Sequence, residues 1–203
     1  MKVALIGATG NVGGVLLEEA LGRGHQVTAI ARHAAALAPR PGLAVAELDV
    51  ADAASLSEVL RGHDAVISSV RFLQLSAPTL LAPVRASGVG RLLVVGGAGS
   101  LQLPDGSRLV DSPSFPTVAR AEALAGCEFL AALASQSELS WTFIAPSAQF
   151  ARGERTGRYR LGMDRLLVDE QGKSWISVED FAIALLDELQ RGRHPSQRIT
   201  VGY

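Results

Sequence analysis

The chain has 203 residues, 48% of them hydrophobic, enough for one well-buried core and leaving little room for a second full domain. Lys and Arg number 19 against 20 Asp and Glu, a net charge of -1, so no bulk electrostatic pull toward nucleic acid or an anionic membrane is expected. The single cysteine, Cys127, excludes an intramolecular disulfide and reads as a small apolar helix residue.

In chain order, Met1 to Gly7 opens on an apolar stretch that glycine interrupts too soon for a secretion signal, and it reads as the first strand. No run of about 18 apolar residues follows, so a membrane span is not expected and a cytoplasmic protein is the default. Short β-rich runs at Val3–Ile6, Gln26–Ala31, Ala44–Leu48, Ala65–Ser68, Arg91–Val95 and Trp141–Ile144 predict strands. Between them, Asn11–Arg23, Ala53–Arg61, Pro78–Ser87 and Thr117–Ser135 carry helical spacing, and the alanine run from Ala34 to Ala36 is neither repeat nor linker. The alternation spells βαβ units, and hence an α/β fold of Rossmann type, a doubly wound parallel sheet with helices on both faces.

After Ile144 the pattern changes. Residues 151–157 are rich in Arg, Gly and Glu; strands are predicted at Tyr159–Leu161 and Leu166–Val168, a turn at Asp169–Gly172 leading into Lys173–Ile176, an amphipathic helix at Val178–Gln190 and a final strand at Gln197–Val201. We expect one domain over 1–203, with residues 145–203 including a small cap on the carboxyl edge of the sheet.

Gly7, Gly10 and Gly13 fall between the first strand and the first helix. A dinucleotide diphosphate needs close backbone approach and free amides at a positive helix terminus in that place. The spacing is GxxGxxG rather than GxGxxG, and its position as the first loop of a βαβ unit is what gives it meaning. Gly7, Thr9, Gly10, Asn11, Val12 and Gly13 are therefore candidate cofactor-binding residues. At the end of strand two, where an acid would accept from a free ribose 2′-hydroxyl, the chain carries Arg32, which suits a 2′-phosphate. NADP(H) is thus expected in preference to NAD(H), with His33 or Arg40 as helpers, against the alternative of a solvated arginine. Asp49 either accepts from the adenine amino group, with Val50 packed on the ring, or caps the helix beginning near Asp52.

Together with Ile30-Ala31-Arg32, Leu48-Asp49-Val50, Val94-Val95-Gly96-Gly97-Ala98-Gly99-Ser100, Trp141 to Pro146 and Gly153-Glu154-Arg155-Thr156-Gly157, these residues resemble the atypical short-chain dehydrogenase/reductases. Within them the likeness is to the small NAD(P)H-binding group that holds NmrA-like proteins and NADH-flavin reductases. The resemblance implies strand order 3-2-1-4-5-6 or an extension of it, with Ser68, Ser69 and Val70 as cofactor neighbours and Ala98 to Ser100 near the nicotinamide. Pro146 also falls among its cofactor-side residues. It further implies hydride transfer to a flavin, quinone or related conjugated acceptor, or in other members dinucleotide sensing without catalysis.

One departure decides the chemistry. The standard enzymes carry Tyr-x-x-x-Lys on the helix after strand five, and no tyrosine or lysine occurs between Leu101 and Ser135. Carbonyl reduction loses its general acid, whereas a flavin or quinone delocalises incoming charge and takes a proton from water. Under this reading Ser100 hydrogen-bonds the acceptor or the nicotinamide amide, unless it is an ordinary cap, and Ser147 and Phe150 line the acceptor pocket with Pro146. His25 and His63 precede strands and belong to the opposite end; no spacing suggests a metal. Arg152, Arg155, Arg158, Arg160 and Arg165 could recognise a flavin phosphate, but a solvated hairpin paired with Glu154 and Asp164 is preferred. The partner expected is a small-molecule acceptor; a homodimer is allowed but not specified.

Overall fold

The computed structural model describes residues 1–33 and 37–203; the alanine run lies outside them. The elements are β1 (Lys2–Ile6), α1 (Asn11–Gly22), β2 (Gln26–Ala31), β3 (Leu43–Glu47), α2 (Ala53–Leu60), β4 (Ala65–Ser68), α3 (Ala77–Ser87), β5 (Arg91–Val95), α4 (Thr117–Ala134), β6 (Ser140–Pro146), β7 (Gln149–Ala151), β8 (Arg160–Gly162), β9 (Trp175–Ser177), α5 (Val178–Arg191) and β10 (Gln197–Gly202). The main sheet runs β3-β2-β1-β4-β5-β6-β10-β8, the predicted order with two strands added at the β6 side. Every pairing in it is parallel except β10 with β8.

Both faces of the central strands are covered, so they read as nearly continuous apolar runs; all of Ala65–Ser68 is buried. One face packs on α1 and α5 through Leu16, Leu17, Phe181 and Leu185. The other packs on α2, α3 and α4 through Leu56, Leu80, Phe129 and Leu133. Three helices begin at a side-chain cap: Asp52 accepts from the Ser55 amide at 3.1 Å, Ser76 from Thr79 at 3.4 Å and Ser177 from Asp180 at 3.0 Å. Gly88 and Gly192, at φ 79° and 58°, end α3 and α5 in the left-handed conformation a side chain resists.

The tail departs from expectation in detail. Residues 166–168 form no strand. The Leu166 amide donates to the Gln102 carbonyl at 3.0 Å and the Val168 carbonyl accepts from Arg160 Nη2 at 2.6 Å, so loop and side-chain partners take the groups a ladder would use. The unforeseen β7 pairs in parallel with β9, Phe150 opposite Ile176. Of the stretch expected as a cap, β8 and β10 enter the main sheet and α5 its helical layer, while β7 and β9 form a separate ribbon beyond β6.

Candidate functional site

A cleft of about 520 Å³ opens where β1, β2, β3, β4 and β5 end. Its head is the glycine loop. Gly7, at φ 84°, turns the chain; a Cβ there would press on the Ser69 carbonyl, 2.6 Å away. Gly13 lies beneath the cleft rather than on its wall, and a Cβ would overlap the Gly7 carbonyl. Gly10 differs: it lines the cleft, and a Cβ there would meet nothing nearer than the Gly7 oxygen at 3.3 Å. The fold forces glycine at 7 and 13, whereas Gly10 keeps a cradle open.

Gly10 is also the N-cap of α1, and no side chain caps that helix or places an acid in its first turn. Among the described residues the amides of Asn11, Val12 and Gly13 find no acceptor, so an anion at this point would receive bare N–H groups and the positive end of the helix. The donor set fits a dinucleotide diphosphate.

Thr9, Asn11 and Val12 line the cleft beside Gly7 and Gly10. Arg32 lines its far end, exposed and without a hydrogen bond or ion pair among the described residues. Its supposed helper Arg40 is held by Glu18 at 2.6 and 2.9 Å. Asp49 and Val50 form the adjoining wall. The helix cap is Asp52; Asp49 instead holds the Ala51 amide at 3.0 Å with one oxygen. Ser69 and Val70 complete the loop after β4.

Other sequence-singled residues lie elsewhere. Ser68 is buried in the ladder between Ile6 and Val94. Ala98 and Ser100 belong to a 3-10 turn pressed against α4, where a Cβ on Gly99 would stand 2.8 Å from that of Ala123. The Ser100 carbonyl accepts from Arg198 Nη1 at 2.6 Å, while its hydroxyl is buried with no partner among the described residues and no surface facing the cleft. Pro146 is buried opposite Val201, whose carbonyl accepts from the Ser147 hydroxyl at 3.0 Å. Phe150, partly buried, packs its ring tilted against Phe181 at the edge of the core, ring centroids 4.8 Å apart.

Residues that the sequence reading did not assign to the site form the wall opposite Arg32: Arg71, Phe72, Gln74 and Glu122, with Val95 and Gly96 of the glycine-rich segment after β5. Glu122, from α4, accepts from the Phe72 amide at 2.7 Å and the Leu73 amide at 3.4 Å, with Arg71 Nε also at 3.4 Å. It fastens the loop after β4. Phe72 packs over Gly126, where a Cβ would lie 2.9 Å from its ring, and against Phe143 at 5.8 Å. The only available signal was one acid on an alanine-rich helix.

Outside the cleft, both tyrosine side chains and those of His25, His63 and His194 are engaged. Burial and a 2.7 Å bond to Asp187 push the Tyr159 hydroxyl up to about 12. The Tyr203 hydroxyl donates to Asp180 at 2.5 Å, and burial pushes its pKa up as well. His25 contacts the amino terminus and His63 bonds Thr28, both at the amino end as expected. His194 holds Glu188 at 2.7 Å. In the arginine group, Arg152 pairs with Glu179 and Arg155 with Glu19, while Asp164 pairs with Arg198; Glu154 and Asp164 are not the partners foreseen. Among the described residues no group of three or more His, Cys, Asp or Glu is placed to hold a metal, and no helix is long and apolar enough to cross a membrane.

A family model described as NAD(P)H-binding matches residues 7–190. The chain is 39% identical to the uncharacterized protein YwnB of Bacillus subtilis, covering 99% of this chain and 98% of that one. Among solved structures it is similar to a Bacteroides thetaiotaomicron protein provisionally named an epimerase, at 42% identity and TM-score 0.95, covering 100% and 96% of the two chains. A Streptococcus pneumoniae protein provisionally named an NADH-flavin reductase matches at 35% identity and TM-score 0.87, covering 100% and 99%.

Proposed function

We propose, from the premise that this chain belongs to the NAD(P)H-binding family, that it is an oxidoreductase using NADP(H) in preference to NAD(H) to reduce a flavin, quinone or related conjugated acceptor. The observation that carries the reading is the cleft itself: an uncapped helix N-terminus at its head, at one end an arginine with no partner among the described residues, and an apolar wall at the other. When bound, the coenzyme would supply the hydride. The chain's own part is to hold and orient. The amides of α1 receive the diphosphate, Arg32 the 2′-phosphate, and Asp49 offers its second oxygen to the adenine amino group beside Val50.

At the other end Val95, Gly96 and Phe72 give a flat apolar surface for a planar acceptor, positioned without a side-chain proton donor. The absence of tyrosine and lysine from α4 supports an acceptor that takes its proton from solvent rather than a simple carbonyl. The name of the pneumococcal relative agrees with this choice. Burial of the Ser100 hydroxyl favours a second reading, a dinucleotide sensor that performs no chemistry.

One experiment separates them. Purified protein is mixed with NADPH and a panel of free flavins and quinones while absorbance of the reduced nicotinamide is followed; turnover supports the reductase, and NADPH binding without turnover on any acceptor supports the sensor. Arg32→Glu should weaken NADPH at least about tenfold more than NADH, a difference of roughly 1.4 kcal/mol. Equal losses for the two coenzymes would remove the 2′-phosphate assignment.

A further inference from the structure

The helices α1 and α5 lie side by side and run in the same sense. Arg23, just past the end of α1, reaches Asp187 and Gln190, both at 2.8 Å, in the second half of α5. At the other end Arg152 spans the two first turns, its Nε 2.7 Å from Glu179 and its Nη1 3.4 Å from the Asn11 carbonyl. Two helix N-termini are thus brought together beside the phosphate loop, with Arg152 next to the cleft rather than on its wall, and they are furnished differently. The first turn of α5 carries Glu179 and Asp180, whereas that of α1 carries no acid and no cap.

Arg152 stands on a segment that α5 holds at two points. The Gly153 amide donates to Glu179 at 2.8 Å. Farther on, the amides of Thr156 and Gly157 donate to Asp180 at 3.2 and 2.8 Å, with the Thr156 hydroxyl at 2.5 Å. The backbone beneath Arg152 is therefore fixed while its side chain is 58% exposed. An ion pair this exposed is weak and readily exchanged, and a guanidinium beside two positive helix ends gains more from a doubly charged anion than from one carboxylate.

Resting on the dinucleotide reading of the cleft, we infer that Arg152 is a further coenzyme-contacting residue, whose guanidinium turns from Glu179 onto the diphosphate held at the head of α1. Glu179 is its resting partner and competes with the ligand for it. The contact concerns the diphosphate, so it does not distinguish NADPH from NADH. In this it differs from Arg32.

The test is a titration of NADPH and of NADH, by nicotinamide fluorescence or calorimetry, against the wild-type protein, Arg152→Gln, Glu179→Gln and the double variant at two salt concentrations. Arg152→Gln should weaken both coenzymes alike, by about three- to fivefold, and flatten the salt dependence. Glu179→Gln, which retains an acceptor for the Gly153 amide, should tighten both about twofold. The double variant should match Arg152→Gln, because with no guanidinium to release the second change has nothing to act on. Wild-type binding with unaltered constants in Arg152→Gln, or a loss confined to NADPH, would overturn the inference and leave the cleft assignment standing. Failure of the wild-type protein to bind either coenzyme would instead remove the dinucleotide reading, and this inference with it. The thermal midpoint of Arg152→Gln, expected close to wild type for an exposed side chain, and those of the Glu179 variants, measured beside it, show whether the fold is intact.

Discussion

Gly13 and Gly14 are neighbours on α1, and the structure assigns them opposite fates on conversion to alanine. At Gly13 the new Cβ would overlap the Gly7 carbonyl oxygen and stand 2.8 Å from its carbon and 3.1 Å from Ala8 Cα. These are backbone atoms of the phosphate loop and cannot rotate away, so the loop or the first turn of α1 must move. Such overpacking costs about 1–3 kcal/mol, partly offset by the roughly 1 kcal/mol that alanine gains over glycine in a helix. The same movement misaligns the amides at the head of the cleft. Loss of a single charge-assisted bond, about 1.5–3 kcal/mol, corresponds to roughly tenfold to a hundredfold in Kd. At Gly14 the nearest atom would be the Ala8 oxygen at 3.9 Å, an ordinary contact, so only the helix preference remains. Gly14→Ala should therefore raise the thermal midpoint by roughly 2–4 °C and leave coenzyme affinity unchanged. The assays are a thermal melt and an NADPH titration on each variant. A Gly13→Ala protein that binds NADPH as the wild type does, and melts with Gly14→Ala, would refute the reasoning about the loop.

Glu122→Ala should release the loop after β4: amide exchange at Phe72 and Leu73 should accelerate by hydrogen-exchange mass spectrometry, with about 1–3 kcal/mol lost in a denaturant melt. Unchanged protection would mean that the loop is held by its packing alone. Glu188→Ala strands Arg91, whose guanidinium is 14% exposed and 2.9 Å from the carboxylate, and also removes the partner of His194. Breaking a buried pair costs about 3 kcal/mol or more, so a fall in midpoint of at least roughly 6 °C is expected, and one under 2 °C would contradict it. Burial raises the Asp180 carboxyl, but hydrogen bonds from Thr156, Tyr203 and two amides outweigh it and hold the pKa below the ordinary aspartate value. A depressed folded pKa gives stability that is complete above the unfolded value of about 4 and disappears as pH falls through the folded one. Asp180→Asn should thus be less stable than wild type at pH 7, with the gap narrowing below pH 4; a constant gap from pH 7 to 3 would exclude this linkage.

What could be read from the sequence follows a physical division. Strands β1, β4 and β5 are buried on both faces, so composition alone marks them; glycine at 13 is demanded by contact with Gly7 a few residues back, and at 7 by a local positive φ of 84°. Local spacing therefore located the cleft's head and one of its walls, down to Arg32, Asp49 and Val50. The opposite wall was illegible because its geometry is set across long separations. Glu122 meets Phe72 fifty residues away, and the 3-10 turn that buries Ser100 is pinned by Arg198 from β10. Likewise β7 is too short to announce itself, and Leu166 is apolar because it packs, not because it pairs, while Val168 is an exposed hydrophobic.

The place of β10 between β6 and β8 bears on how the polypeptide acquires its shape during synthesis. β8 is made some forty residues before the strand on which it depends, and it has no other ladder partner. A nascent chain that has emerged as far as α5 can zip β3 through β6, yet its edge segment must wait unpaired until Thr200, Val201 and Gly202 arrive opposite Gly162, Leu161 and Arg160. Assembly of this half is thus deferred until β10 has been made, an interval in which an exposed β6 edge is open to the wrong neighbour.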